Sequence, residues 1–287
     1  TAVFKILRLK YLISKKVKEF SMNFTEILFE IEEGIAVITL NRPKARNALA
    51  PVMRQELALA LKTVREKAGE EVRALILTGA GGAFCAGGDV KSMGSRLKSA
   101  ALAREALRDD HQKMLDLMNI EVPVISLIDG AAAGAGANIA LAADFVLATS
   151  RGFLLQAFVR IGLIPDWGGM YILPRLVGLQ KAKELIFSGR RVYAEEAKQM
   201  GLVYDIVNQE SALEEAKAFA KRFVNAPTKA IGLAKVILNQ SFNHDHKTIL
   251  EMEAMAQAIS RESEFHAEAI KRFAQKKPPL FDWESFK

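Results

Sequence analysis

One stretch limits what this chain can fold into more than any other: Pro123 to Leu176, PVISLIDGAAAGAGANIALAADFVLATSRGFLLQAFVRIGLIPDWGGMYILPRL. Val124 to Ile128 is a short apolar run between Pro123 and Asp129-Gly130, which reads as a buried strand closed by a turn. Ala131 to Ala137 holds only alanine and glycine, and Asn138 to Ala143 then takes up an apolar helical pattern. Any helix start leaves its first N–H groups unpaired, and Ala and Gly put nothing bulky over them. Such an end can hold a developing oxyanion. Downstream, Ile164-Pro165-Asp166 places one carboxylate in a tight turn among apolar neighbours. A backbone anion site with a lone carboxylate points to proton transfer beside a carbonyl.

The 287 residues, 50% hydrophobic and 25% charged, suffice for one large core with or without an appendage. No apolar run reaches the ~18 residues needed to cross a bilayer, so no membrane span is expected. A single cysteine, Cys85, excludes an internal disulfide and fits a reducing, cytoplasmic setting. His244-Asp245-His246 reads as a solvated loop, and no metal is expected. The net charge is +7, but Lys5, Arg8, Lys10, Lys15, Lys16 and Lys18 against Glu19 account for +5 of it. The remainder is nearly neutral, so a nucleic-acid partner is not expected. Residues 1–22 are expected to be a basic extension, with Met22 as the natural start. They lack the composition of a transit peptide, and a helix lying on a membrane surface is the alternative.

From Phe24 the periodicity is regular. Ile27 to Glu32 and Ile35 to Leu40 form a hairpin around Glu33-Gly34. Helical spacing runs from Leu49 to Lys67, a buried strand from Val72 to Thr78, and a charged helix from Ala100 to Met118. Further strands are expected at Phe145 to Ala148 and Val203 to Val207. Helices at Gln180 to Phe187 and Ala194 to Met200 are closed by Gly189 and Gly201. After Ser211 only helices follow: Ala212 to Val224, Thr228 to Ser241, and Lys247 to Ala274. The expected organisation is an α/β core of repeated strand–strand–helix units over residues 23–211. A helical module over 212–287 is suited to subunit packing.

Two small-residue loops need a reason. Gly79 to Asp89 follows a strand but has Phe84 where a dinucleotide fingerprint needs its last glycine, and it lacks a phosphate-loop Gly-Lys-Ser/Thr. It is either a plain tight turn or, with Gly134-Ala135-Gly136-Ala137, one of two sources of backbone donors for an oxyanion. Close helix packing is the plainer account of the second loop.

Three segments in order carry a family resemblance: Asn41-Arg42-Pro43-Lys44-Ala45-Arg46-Asn47-Ala48-Leu49, then Phe84-Cys85-Ala86-Gly87-Gly88-Asp89, then Pro123 through Gly130 with Asp144. Together they resemble the crotonase (enoyl-CoA hydratase/isomerase) superfamily, from about Phe24 to the C-terminus. That resemblance implies a crotonase-type spiral of β-β-α units, an acyl-CoA substrate and a homotrimer or dimer of trimers. It implies no resident cofactor, coenzyme A entering as part of the thioester. It places the thioester oxygen between the N–H groups of Gly88 and Ala135. Around the substrate it places Ala45, Ala86, Asp89, Val90, Lys91, Gly134, Asn138 and Phe158. Phe273 and Lys276 match residues that reach a neighbouring subunit's coenzyme A.

Hydratases of this superfamily carry glutamates at the positions held here by Asn138 and Phe158, which leaves Asp166 as the expected acid/base. AAGAGANIAL, QAF, IGLIPD, GG and LPRLVG resemble the 1,2-epoxyphenylacetyl-CoA isomerase branch, implying an enoyl-CoA isomerase. Its rivals are a hydratase or an acyl-CoA dehalogenase on the same fold, and a non-catalytic acyl-CoA- or RNA-binding member. A dehalogenase would use His111 with Asp166 but would need Trp in place of Phe158. Each assignment has a plainer alternative: an Asx turn for Asp166, a loop-holding side chain for Asn138, and a small buried apolar residue for Cys85.

Overall fold

The computed structural model describes residues 24–89 and 99–286. The N-terminal extension, Val90 and Lys91 therefore lie outside the described residues. The chain opens with β1 (Ile27–Glu32) and β2 (Ile35–Leu40), paired antiparallel with Ile27 opposite Leu40. The turn between them holds Glu33 and Gly34 at φ 49° and 81°, the left-handed pair that a tight hairpin requires. Helix α1 (Pro51–Lys67) follows, burying Met53, Leu57, Leu61 and Val64 at helical spacing. Then come β3 (Ala74–Gly79), β4 (Ala83–Cys85) and α2 (Ala100–Met118). Next are β5 (Val124–Ile128), β6 (Ala131–Ala133), α3 (Ala135–Leu141), β7 (Phe145–Thr149) and β8 (Phe153–Leu155). The chain continues through α4 (Gly169–Ser188), β9 (Arg191–Tyr193), α5 (Ala194–Gln199) and β10 (Asp205–Val207). It closes with α6 (Ala212–Lys221), α7 (Thr228–Gln240), α8 (His246–Arg261) and α9 (Glu264–Ala274).

The strands build two sheets. Six form the larger, in the order β1-β2-β3-β5-β7-β10, parallel beyond the first hairpin. Its inner strands are apolar on both faces, as a parallel sheet covered by helices demands, and every residue of β5 is buried. One face packs on α1, α2, α3 and α4, and the other on α6. The smaller sheet runs β4-β6-β8-β9. Consecutive strands alternate between the sheets: β3 belongs to the large one and β4 to the small one, then β5 and β6, then β7 and β8. This is the expected spiral of strand–strand–helix units.

Three differences from the sequence reading stand out. The small sheet has no signature in the sequence, where Gly79 to Asp89 reads as loop and Ala131 to Ala137 as one small-residue segment. Both donate three residues to strands, and runs as short as AFC, AAA and FLL carry no readable period. The helix expected over Lys247 to Ala274 is two helices, because the Ser263 hydroxyl accepts the His266 N–H at 3.2 Å and starts α9 afresh. The helix expected at Gln180 begins earlier, at Gly169, and turns sharply at Gly178 (φ 74°, ψ 160°). Among the described residues no helix is long and apolar enough to cross a membrane.

Candidate active site

The first part of the candidate site is backbone. Gly134 (φ 54°, ψ −125°) is the N-cap of α3 and offers no side chain to it. Ala135, at the first helical position, donates its N–H to no acceptor among the described residues. The Gly87-Gly88 turn lies against it. Gly87 sits at φ +89°, and a Cβ there would stand 2.7 Å from the Ala133 carbonyl and 3.5 Å from the Ala135 nitrogen, so glycine is required. The first turn of α3 is pressed equally hard onto β4, since a Cβ on Gly136 would meet the Cys85 carbonyl at 2.4 Å.

Gly88 pairs with Leu49 in an isolated parallel bridge, in which the Leu49 N–H donates to the Gly87 carbonyl at 2.8 Å. In a parallel bridge of this kind the residue facing Leu49 contributes neither of its own groups, so the Gly88 N–H points the other way. Among the described residues neither the Gly88 N–H nor the Ala135 N–H has a backbone acceptor, and the two lie on neighbouring loops. Both small-residue loops are needed for this arrangement, and close packing is how it is achieved.

Around these loops the motif residues mostly brace. Asn47, fully buried at φ 57°, donates from Nδ2 to the carbonyls of Ala80 (2.9 Å) and Ala83 (2.7 Å), and its Oδ1 accepts the Arg42 N–H at 2.8 Å. Arg42 pairs with Asp89 at 3.2 Å and with Glu26 at 3.1 Å. Asp89, expected at the substrate, thus ties the donor loop to the hairpin. Ala45 is half-buried and Ala86 exposed, joined through the Ala86 N–H bond to the Arg46 carbonyl at 2.9 Å. Cys85 is fully buried, and burial pushes its thiol up to about 12, so it stays a protonated apolar filler.

The second part is a side chain. Asp166 stands in a turn whose Gly169 N–H closes on the Asp166 carbonyl at 3.0 Å. Its Oδ1 is buried without a hydrogen-bond partner among the described residues. Burial is the largest influence on the group and pushes its pKa up to about 6. The nearby Asp110 carboxylate adds to that, while its own backbone N–H and the Arg54 guanidinium oppose it.

The turn is anchored from below. Asn138 Nδ2 donates to the Asp166 carbonyl at 2.7 Å, and Asn138 Oδ1 accepts from Gln156 Nε2 at 2.8 Å. Asn138 is fully buried with both amide ends engaged, so it acts as the loop-holding side chain and not as a surface the substrate could touch. His111 Nε2 accepts the Trp167 N–H at 3.3 Å, one residue past the acid, which requires that nitrogen to be unprotonated. Phe158 is buried with its ring beside Gly134, 3.7 Å from where a Cβ would stand. Gly134, Ala135, Phe158 and Asp166 are therefore gathered around α3, and Gly87, next to Gly88, abuts the Ala135 end of it. Phe273 and Lys276 are elsewhere, exposed on α9 and just past its end.

The neighbourhood of Asp166 is less apolar than its sequence context suggests. Asp110 is 5% exposed, held by Arg54 Nη1 at 2.5 Å and by Lys113 Nζ at 3.1 Å. Sequence reasoning passed over Asn47, Arg54, Asp110 and Gln156. Asp110 had a signal: it shares a helical face with Met114 and Leu117, and an acid on a core-facing stripe calls for a buried partner. Among the described residues no group of three or more His, Cys, Asp or Glu is placed to hold a metal. In the His244-Asp245-His246 segment, Asp245 caps α8 by accepting the Thr248 N–H at 3.1 Å.

Comparison with known proteins sets the chain among enoyl-CoA hydratases and isomerases. The chain is 38% identical over 261 residues to a Rhodobacter capsulatus protein described as "Probable enoyl-CoA hydratase", covering 91% of this chain and 99% of that one. It is 34% identical over 257 residues to the 1,2-epoxyphenylacetyl-CoA isomerase of Escherichia coli K12, covering 89% and 97%. The crystal structure of an enoyl-CoA hydratase/isomerase from Cupriavidus metallidurans CH34 matches with a TM-score of 0.86 at 35% identity, covering 91% and 97%. The sequence profile of the enoyl-CoA hydratase/isomerase family matches residues 30–285, and with its spiral of paired strands the chain belongs to that family and has the crotonase fold.

Proposed function

We propose that this protein is an acyl-CoA isomerase that shifts a double bond from C3 to C2, or rearranges a ring epoxide, through an enolate. Asp166 removes a proton from C2 of a 3-enoyl-CoA. The C2–H electrons pass into a dienolate, and the negative oxygen is held by the N–H groups of Gly88 and Ala135. The same carboxyl then returns its proton at C4, leaving the double bond between C2 and C3. One acid suffices because what leaves the substrate comes back to it.

The observation that carries this reading is the half-buried Asp166, whose Oδ1 is enclosed without a hydrogen-bond partner among the described residues and whose pKa burial raises to about 6. At neutral pH it is mostly ionised, yet a stronger base than an ordinary carboxylate. Asn138 and Phe158, at the hydratase acid positions, offer no second carboxylate to activate water. The substrate's coenzyme A portion supplies remote binding energy for positioning. We further propose that residues 212–287 pack subunits into a trimer or dimer of trimers, with Phe273 and Lys276 acting across the boundary.

Hydration is the second reading, favoured by the hydratase description of the Rhodobacter capsulatus relative. Product mass separates the two, because isomerisation leaves it unchanged and hydration adds one water. Asp166→Asn tests the base itself. It should leave a folded oligomer binding the ester within a few-fold, with isomerisation down by ~100-fold or more and solvent-deuterium exchange at C2 abolished. Comparable turnover in Asp166→Asn rejects the assignment.

A further inference from the structure

Arg54, on α1, lies between the two parts of the candidate site and bonds toward both. Its Nε donates to the Leu49 carbonyl at 3.1 Å, and the Leu49 N–H holds the Gly87 carbonyl at 2.8 Å. Its Nη1 reaches the Asp110 carboxylate on α2 at 2.5 Å. The next residue on α2, His111, accepts the Trp167 N–H beside the acid at 3.3 Å. A line of hydrogen bonds therefore runs from the donor loop through Leu49, Arg54 and α2 to the Asp166 turn. The Arg54 and Asp110 side chains are only 19% and 8% exposed, so water cannot readily replace either partner.

We propose that Arg54 is a positioning residue for the reaction: its guanidinium, forked between Leu49 and Asp110, fixes the Gly87-Gly88 loop relative to the Asp166 turn and, with Asp110, shapes the charge around the base. This rests on the reading of Asp166 as that base. A planar guanidinium suits the task because it donates in two fixed directions at once, which an ammonium on a flexible stem does not. The charged groups bearing on Asp166 are Asp110 from α2, which opposes its ionisation, and Arg54 from α1, which favours it. Lys113 is engaged by Asp110, His111 touches the next residue, and α3 presents the uncharged Asn138. Alignment of acid and oxyanion donors to a fraction of an ångström is where such a clamp acts, through turnover more than through affinity.

The test uses the full chain with Arg54→Met, Arg54→Lys, Asp110→Asn and Asp166→Asn, measuring kcat and KM for a 3-enoyl-CoA across pH. Arg54→Met should lower kcat ~10-fold or more with KM within ~two-fold. The acid limb of its kcat/KM profile, expected near 6 in the parent, should move up by roughly half a unit or more because a positive charge is lost. Asp110→Asn should move the limb down, since a like charge is removed. Arg54→Lys should restore the position of the limb without restoring all of kcat. The milder Arg54→Lys and Asp110→Asn keep the test usable should Arg54→Met fail to fold.

A parental kcat in Arg54→Met overturns the proposal. So does movement of the limb in the same direction in Arg54→Met and Asp110→Asn, or a loss of kcat accompanied only by a lower Tm. An active Asp166→Asn removes the base reading and this proposal with it. An inactive Asp166→Asn beside an unaltered Arg54→Met removes this proposal alone.

Discussion

The two halves of the candidate site are built from opposite materials. Around Gly88 and Ala135 the groups proposed to act are main-chain N–H, set by glycines that tolerate contacts no other residue could, and the nearest charges among the described residues, Asp89 and Arg42, are paired with each other. Around Asp166 everything depends on side chains from separate elements, Arg54 on α1, Asp110 and His111 on α2, and Asn138 on α3. A donor made of backbone is preorganised by packing alone. A base has to be tuned, and its strength is a balance between burial and the charges around it.

Breaking the backbone half should have the largest effect. Gly88→Pro deletes the N–H and should cost ~100-fold or more in kcat, read by steady-state turnover on the folded variant. A wild-type rate there would show that the oxyanion is held elsewhere. Asn138→Ala attacks the anchor of the other half. It leaves the buried Gln156 amide without its acceptor, at about 1–3 kcal/mol, and takes from the Asp166 carbonyl one of its two bonds, the Gly169 N–H remaining, so thermal unfolding should drop clearly. Turnover should fall less than in Gly88→Pro, since the carboxylate itself remains.

A pH experiment sharpens the contrast further. The Asp166 pKa is raised from an unfolded value of ~3.9 to about 6 in the fold, so its contribution to stability is fully present below pH ~4 and is lost as pH rises through 6. Asp166→Asn should therefore be more stable than the parent at pH 8, with the advantage fading by pH 4. A Tm difference independent of pH would mean that the carboxyl is not buried as described. The smallest effect is expected from Cys85→Ser, which changes a buried protonated thiol whose sulfur accepts the Gly87 N–H at 3.4 Å. Turnover should stay near that of the parent; an inactive, folded Cys85→Ser would point to sulfur chemistry.

The same division explains what could be read from the chain in advance. Hairpin, buried strands and the α2 helix followed from alternation and helical spacing, and the donor loops from their unusual density of glycine. Asp166 drew attention in the sequence as a lone carboxylate in a turn among apolar residues, and the family resemblance, with Asn138 and Phe158 in place of glutamates, gave it the expected acid/base role beside the plainer Asx turn; the structure adds that its Oδ1 is buried without a partner among the described residues. The small sheet was not legible, because three-residue strands have no period. Nor was the Arg54–Asp110 pair, which joins residues 56 positions apart and exists only once α1 and α2 pack. Asn138 reads in sequence as a substituted catalytic position with loop-holding as its plainer role, and its bonds to the Asp166 carbonyl and Gln156 supply the partners that the sequence could not name.

The bridge between Leu49 and Gly88 has a further consequence on the proposed reading. A main-chain donor cannot be mutated away by any exchange of side chains short of proline, so the half of the site that stabilises negative charge is inherited with the fold. Diversification then falls on the side chains around α3, where positions 138, 158 and 166 can each hold or lack a carboxylate. A scaffold divided this way can change which carbon loses its proton without rebuilding what holds the oxygen.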